Sequence, residues 1–202
     1  VGAAESLGRS CDLLSGDLKV ERIGTAGATS VLGGGYLVTT LCELGRYDEA
    51  DHRLAQAIAA AAAARDIYSI AAAQIARCML AIARGDVATA MPALEALLGA
   101  ARTAGIVAVT IYLETLLGRA KFIAGDFPGA VELLSEKAET ASVPRASLHG
   151  LTRIWLAEAK IAAGMAAEAD TILEGAEREM TERGEAGSLA HCWATKGKAA
   201  LV

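Results

Sequence analysis

Apolar side chains return along this chain at the spacing of a helix. Ile67, Ile70, Ile75, Met79 and Ile82 do so with small residues between them, and Leu97 and Leu98 follow Leu94 at three and four residues. On a helix such positions share one face, so the stripes could pack against neighbouring helices. The pattern predicts helices over 30–44, 47–64, 67–83, 87–103, 107–123, 127–140, 146–162, 166–182 and 187–200. Ahead of residue 30 stands a short apolar piece, Cys11 to Leu14, read as the second helix of a repeat whose first helix lies outside the chain. Residues 23–42 form a stretch of 20 residues without a charge, long enough in principle to cross a bilayer. Gly24, Gly27, Gly33, Gly34 and Gly35 with Thr25, Thr29, Ser30, Thr39 and Thr40 make half of it small or polar, which predicts a loop entering a helix.

The breaks between helices repeat. Four segments align on the pattern Gly-x-apolar-x-x-Ala, at Gly45 to Ala50, Gly85 to Ala90, Gly125 to Ala130 and Gly164 to Ala169, with their glycines 40, 40 and 39 residues apart. Each reads as a helix that ends, a tight turn, and a second helix that starts at once. Glycine takes the left-handed conformation at such an end without a Cβ clash. Asp86 and Asp126 follow their glycines where a short carboxylate caps the amides of the next helix, and Pro128 sits in a first turn, where its missing N–H costs nothing. The alanine five residues after each glycine is placed where two helices cross closely. Four repeats follow, at roughly 30–65, 66–105, 106–142 and 145–183, with a capping helix at 187–200, in a single helical repeat domain over 1–202.

This arrangement resembles the tetratricopeptide (TPR) family. The family's turn glycine and its alanine five residues later match Gly45/Ala50, Gly85/Ala90, Gly125/Ala130 and Gly164/Ala169. Its earlier small residue matches Gly118, Ala157 and Cys78, with Val38 the poor fit, and its apolar position four after the alanine matches Leu54, Leu94, Leu134 and Leu173. The family's usual period is about 34, so the longer second helices here absorb about six more residues. Its aromatics inside the first helix are largely replaced, with Leu41, Ala81 and Lys121 at one of those places. The long period and segments such as Glu43 to Ala50 followed by an alanine-rich helix look like the carboxyl-terminal repeats of bacterial multidomain regulators that carry an ATPase, a cyclase or a DNA-binding module. The resemblance implies an all-α fold, a right-handed α/α superhelical solenoid of stacked antiparallel helix pairs.

Composition agrees with helices and removes several functions. The chain holds 46 alanines in 202 residues but only 3 prolines, and aromatic residues are 4%, a mixture that favours helix over sheet. Nineteen basic against 24 acidic side chains leave a net charge of −5, which gathers neither nucleic acid nor acidic lipid over the molecule as a whole. Lys196 and Lys198, the densest basic pair, read as a solvated last helix. The four cysteines at 11, 42, 78 and 192 form no paired motif, and His52, His149 and His191 complete no ligand set. They read as buried thiols of a cytoplasmic protein without metal or cofactor.

Gly33-Gly34-Gly35 lacks the lysine and spacing of a phosphate loop and reads as a helix entry or a tight packing point. Asp48, Glu49, Asp51 and His52 serve a helix end rather than acid catalysis, Ser147 with His149 has no nucleophile elbow around it, and Arg145 with Arg153 shares a helix face without further cations. Trp155 and Trp193, each near a histidine, read as packing between helices. No motif points to an enzyme.

What remains is the groove formed by first helices, which the resemblance implies as a binding surface. Its offsets select Thr39, Cys42 and Glu43; Ile75, Met79 and Ile82; Tyr112, Thr115, Arg119 and Phe122; and Ile154, Glu158 and Ile161. Met79, Tyr112, Thr115, Arg119, Phe122 and Glu158 are the candidate groove residues, with Tyr112 and Arg119 seven apart on one helical face. The expectation is a protein-interaction or scaffold domain of a larger regulator that takes a protein or peptide in this groove. The rival is a small-molecule effector sensor that switches an attached ATPase, cyclase or DNA-binding module. A mean hydropathy of +0.37 is high for an elongated fold, which points to a face covered by further repeats, another domain or a second copy in a homodimer.

Overall fold

The computed structural model describes residues 2–140 and 149–201. Its helices are α1 Gly2–Leu13, α2 Thr29–Glu43, α3 Tyr47–Ala64, α4 Ile67–Ala83, α5 Val87–Thr103, α6 Val107–Ile123, α7 Phe127–Thr140, α8 His149–Ala162, α9 Ala166–Arg183 and α10 Ala186–Ala199. A 3-10 turn, Gly16–Val20, lies between α1 and α2, and no strand occurs among the described residues. The predicted helices recur almost residue for residue, except that the predicted start of the seventh, at 146, falls outside the described residues. The apolar piece read at Cys11 to Leu14 is helical as far as Leu13. Those residues close a helix that starts at Gly2, and its packed side is Ala4, Leu7, Gly8 and Cys11, while Leu13 is exposed.

The helices form an all-α solenoid arrangement of stacked antiparallel pairs, in two compact units, Val1–Leu97 and Leu98–Val202. In the first, α2 packs on α1, α3 and α4. In the second, α6 pairs with α7 and α8 with α9, α7 packs on α8, and α10 lies on both α8 and α9. Breaks of two or three residues, as between α2 and α3, α6 and α7, α8 and α9, and α9 and α10, enforce these pairings, because a chain so interrupted must fold back along the helix it has just left.

Gly45, Gly85, Gly125 and Gly164 all have φ between 69° and 84°. Each turn closes with the paired bonds of a Schellman end, as where the Asp86 amide donates to the Ala81 carbonyl and the Gly85 amide to that of Ile82. Asp86 then accepts from the Thr89 amide at 3.1 Å and Asp126 from the Gly129 amide at 3.0 Å, so both carboxylates cap the next helix. Ala50, Ala90, Ala130 and Ala169 are at most 1% exposed. The glycine triplet lies inside α2 and is a packing point: a Cβ on Gly34 would stand 3.2 Å from that of Ala57, and one on Gly35 3.7 Å from that of Ala76.

A second set of left-handed turns, between the second helix of one pair and the first of the next, falls at Arg65, Gly105 and Gly184. Arg65 has φ 54° and is the single non-glycine residue in that region among the described residues. Beyond it, Asp66 caps α4 and accepts from the Ser69 amide at 2.9 Å and the Ser69 hydroxyl at 2.6 Å. That hydroxyl accepts from the Ala28 amide at 2.8 Å, which ties the entry of α2 to the start of α4.

Two stability outcomes follow from this geometry. Ala130→Leu forces a branched side chain into a closed helix crossing and should lower stability by about 1–3 kcal/mol. Arg65→Gly removes the Cβ strain of the left-handed position and should raise stability by about 0.5–1 kcal/mol, net of the entropy that glycine adds to the unfolded chain. Urea denaturation of both variants beside the parent measures the two shifts, which have opposite sign.

Candidate functional site

Three first helices of the second unit bring their polar residues to one place. Arg119 on α6, Glu158 on α8 and Lys198 on α10 stand 39 and 40 residues apart, one repeat each. The Arg119 guanidinium donates from Nη1 to Glu158 Oε2 at 2.7 Å, and Lys198 Nζ donates to Glu158 Oε1 at 2.9 Å. His191 Nε2 lies 3.7 Å from the same Oε1. A single carboxylate thus links three helices, and its side chain is only 5% exposed.

Aromatic rings frame the guanidinium. Arg119 Cζ lies 5.0 Å from the centroid of Phe122 and 5.4 Å from that of Trp155, so the planar cation is held against two π faces. Phe122 in turn meets Phe127 of α7, with centroids 5.7 Å apart at 49°. Trp155 is buried, and Arg119 keeps 20% of its side-chain surface in solvent. Lys198, at 63%, is the most open member of the group.

The electrostatics follow from this packing. Burial alone pushes the Glu158 carboxyl up, but the hydrogen bonds from His191 and Lys198 and the charge of Arg119 outweigh it and hold the group at about 2, against an ordinary 4.5. Two cations face one carboxylate, leaving the cluster positive before any charge on His191. An arginine offers five N–H donors and a lysine three, so both have donors beyond those given to Glu158.

The remaining predicted groove residues are distributed differently. Tyr112 lies on α6, half-buried. Thr115 is 2% exposed and its hydroxyl donates to the Ile111 carbonyl at 3.0 Å, so it presents nothing to a groove. Ile154 is likewise enclosed, against α9 residues such as Leu173. Met79 belongs to the first unit, half-buried on α4, where its sulfur accepts from the Thr39 hydroxyl at 3.4 Å. Arg119 and Glu158, read from sequence as two opposite charges offered to a partner, instead hold one another. Arg145, Ser147 and the side chain of His149 lie outside the described residues.

Lys198, His191 and Trp155 were not among the predicted groove residues. The signal for Lys198 was present, since extending the repeat register by one more period from Glu158 reaches it. Trp155 and Trp193, both read as packing between helices, differ: Trp193 is 55% exposed, with Nε1 donating to Glu177 Oε1 at 2.7 Å. Among the described residues no group of three or more His, Cys, Asp or Glu is placed to hold a metal ion, and no helix is long and apolar enough to cross a membrane.

Glu158 sets a pH dependence of known sign. Its carboxyl titrates lower in the folded chain than unfolded, so its contribution is complete above about pH 4.5 and is lost as pH falls toward 2. Glu158→Gln should cost about 3 kcal/mol at pH 7. Urea midpoints of parent and variant should converge as the pH is lowered through that window.

No family model and no curated protein matches the sequence. Solved structures do match. A Podosopora anserina protein, described as a kinesin light chain with nearly identical TPR-like repeats, aligns at 24% identity and a TM-score of 0.56 over 82% of this chain and 86% of its own. A second structure of that protein, carrying one substitution, aligns with the same identity and TM-score over 82% of this chain and 85% of its own. The antiparallel pairs, the glycine turns and these likenesses together establish the fold of this chain as TPR-like.

Proposed function

We propose that the chain is a non-enzymatic protein-interaction or scaffold module, and that the second unit presents its binding face around Arg119. The observation that carries this reading is the cluster itself. Arg119 is held between Phe122 and Trp155 and pinned by a buried carboxylate, so its exposed edge is already ordered before any partner arrives. A preorganised arginine next to aromatic rings is the kind of group that dominates protein interfaces. Tyr112 stands one heptad before it on the same helix. Glu158 then acts as the positioning residue that holds Arg119 and Lys198 in register.

The TPR-like fold supports a stacked-helix surface for a peptide or a partner helix. The setting we favour is cytoplasmic, as part of a bacterial regulator with an attached ATPase, cyclase or DNA-binding module. The four cysteines, all free thiols, fit a reducing compartment. A small effector remains the second reading, because the same positive cluster accepts an anionic metabolite.

The test begins with cross-linking capture from the source cytosol and calorimetry on the purified hit. Tyr112→Ala and Arg119→Ala should weaken its binding at least about tenfold, the scale of a 1.4 kcal/mol contact, while Glu136→Ala on α7 leaves it unchanged. A metabolite thermal-shift screen runs beside it. Equal affinity for all three variants would remove the α6 face from consideration, and a metabolite shift without a protein partner would favour the effector reading.

A further inference from the structure

Charge is sorted between the two layers of the second unit. Its first helices α6, α8 and α10 carry six cations and two carboxylates, histidines aside, whereas α7 and α9 carry three cations and nine carboxylates. Four of the six cations are answered one for one. Lys121 pairs with Asp126 at 2.6 Å, Arg153 with Glu179 at 2.9 Å, Lys160 with Glu168 at 2.6 Å, and Lys196 with Glu177. The two carboxylates of the first helices, Glu114 and Glu158, are both buried. Arg119 and Lys198 have Glu158 to share between them, so the uncompensated positive charge of this layer stands at their cluster.

The geometry of that cluster defines what it can take. Glu158 reaches Arg119 Nη1 with one oxygen and Lys198 Nζ with the other, so the two nitrogens stand no farther apart than one carboxylate spans. It does so from the buried side. The N–H donors of both cations beyond those given to Glu158 have no protein acceptor among the described residues. A second carboxylate on the open side would repeat the contacts of Glu158 as charge-assisted hydrogen bonds, and two cations with two carboxylates are neutral. A phosphoryl dianion in the same place would leave the cluster negative. Tyr112, Leu151 and His191 stand seven residues before Arg119, Glu158 and Lys198 and are half-buried, as is Phe122, three residues after Arg119. The face thus continues on both sides of the cluster, and a chain can cross it without ending there. We infer that the occupant is an extended peptide segment of a partner, one of whose Asp or Glu side chains bridges Arg119 and Lys198 opposite Glu158. This rests on the proposed reading of the Arg119 face and adds the chemistry of its partner. Because the bridge touches α6 and α10 at once, it lies over α8 on the face of the stack. An element packed beyond α10 could meet Lys198 but not Arg119.

The test titrates the isotope-labelled full chain with two capped peptides, Ala-Leu-Ala-Glu-Ala-Leu-Ala and the same sequence with Gln in place of Glu. At about 20 mM salt, where screening is weak, the Glu peptide should shift amide signals around Arg119 and Lys198. It should bind at least about tenfold tighter than the Gln peptide, and more tightly than acetate. Raising the salt to about 500 mM should erase the difference. Lys198→Gln changes a side chain that is 63% exposed, so helical circular dichroism should be retained while most of the preference for Glu is lost. Lys196→Gln, whose cation is paired with Glu177, should keep that preference. Equal binding of the two peptides overturns the inference, as does a preference that Lys198→Gln leaves intact. Acetate binding as tightly as the Glu peptide overturns it too, since a free carboxylate would then suffice. A captured partner indifferent to Arg119→Ala sinks the reading of the face itself, whereas a partner that needs Arg119 while the two peptides bind alike sinks only the inference.

Discussion

Every pair in this molecule depends on two helices being able to approach closely just after a reversal of the chain. The left-handed glycine at each turn brings the next helix back along the last one, and the alanine five residues later lets the two backbones meet. Neither works alone. A turn followed by a bulky residue would splay the pair, and an alanine without the turn would have no partner helix in reach. The close approach recurs in other positions, where Gly34 meets Ala57 and Gly118 lies under Leu134. Small residues therefore do in this chain what large ones do in most cores, namely decide where elements dock.

The same economy places the polar cluster. Because one repeat is 39 or 40 residues, a residue on one first helix has counterparts at the same height on the next, and Arg119, Glu158 and Lys198 occupy such equivalent places. Stacking converts their distant sequence positions into a row. The carboxylate in the middle is buried but satisfied from both sides, which is the condition under which an ionised group tolerates loss of water. Holding Arg119 between Phe122 and Trp155 then leaves an ordered, partly exposed cation at the surface. The chemistry of the site and the rigidity of the second unit are in this sense one feature.

Much of this was legible in the residues. Helix positions came from apolar spacing, and the turns came from four aligned glycines, because both depend on local backbone preferences that a sequence carries directly. Arg119 and Glu158 were also within reach, through repeat register. Trp155 was not, since which ring covers a guanidinium is a matter of packing between helices far apart in the chain. Arg65 was missed for a related reason. Its left-handed conformation is imposed by the helices on either side, against the residue's own preference.

The sequence by itself determined the class of fold, the spacing of the pairs and the places where helices must cross, because glycine turns, aspartate caps and alanine crossings act over a few residues and report themselves in the pattern. Only the tertiary structure decided what the charged residues do. Arg119 and Glu158 looked like two groups offered to a partner and proved to be bound to each other, with Lys198 completing the set. Long-range pairing and burial arise when helices from different repeats meet, and no local rule in the chain specifies which side chain will be on hand when they do.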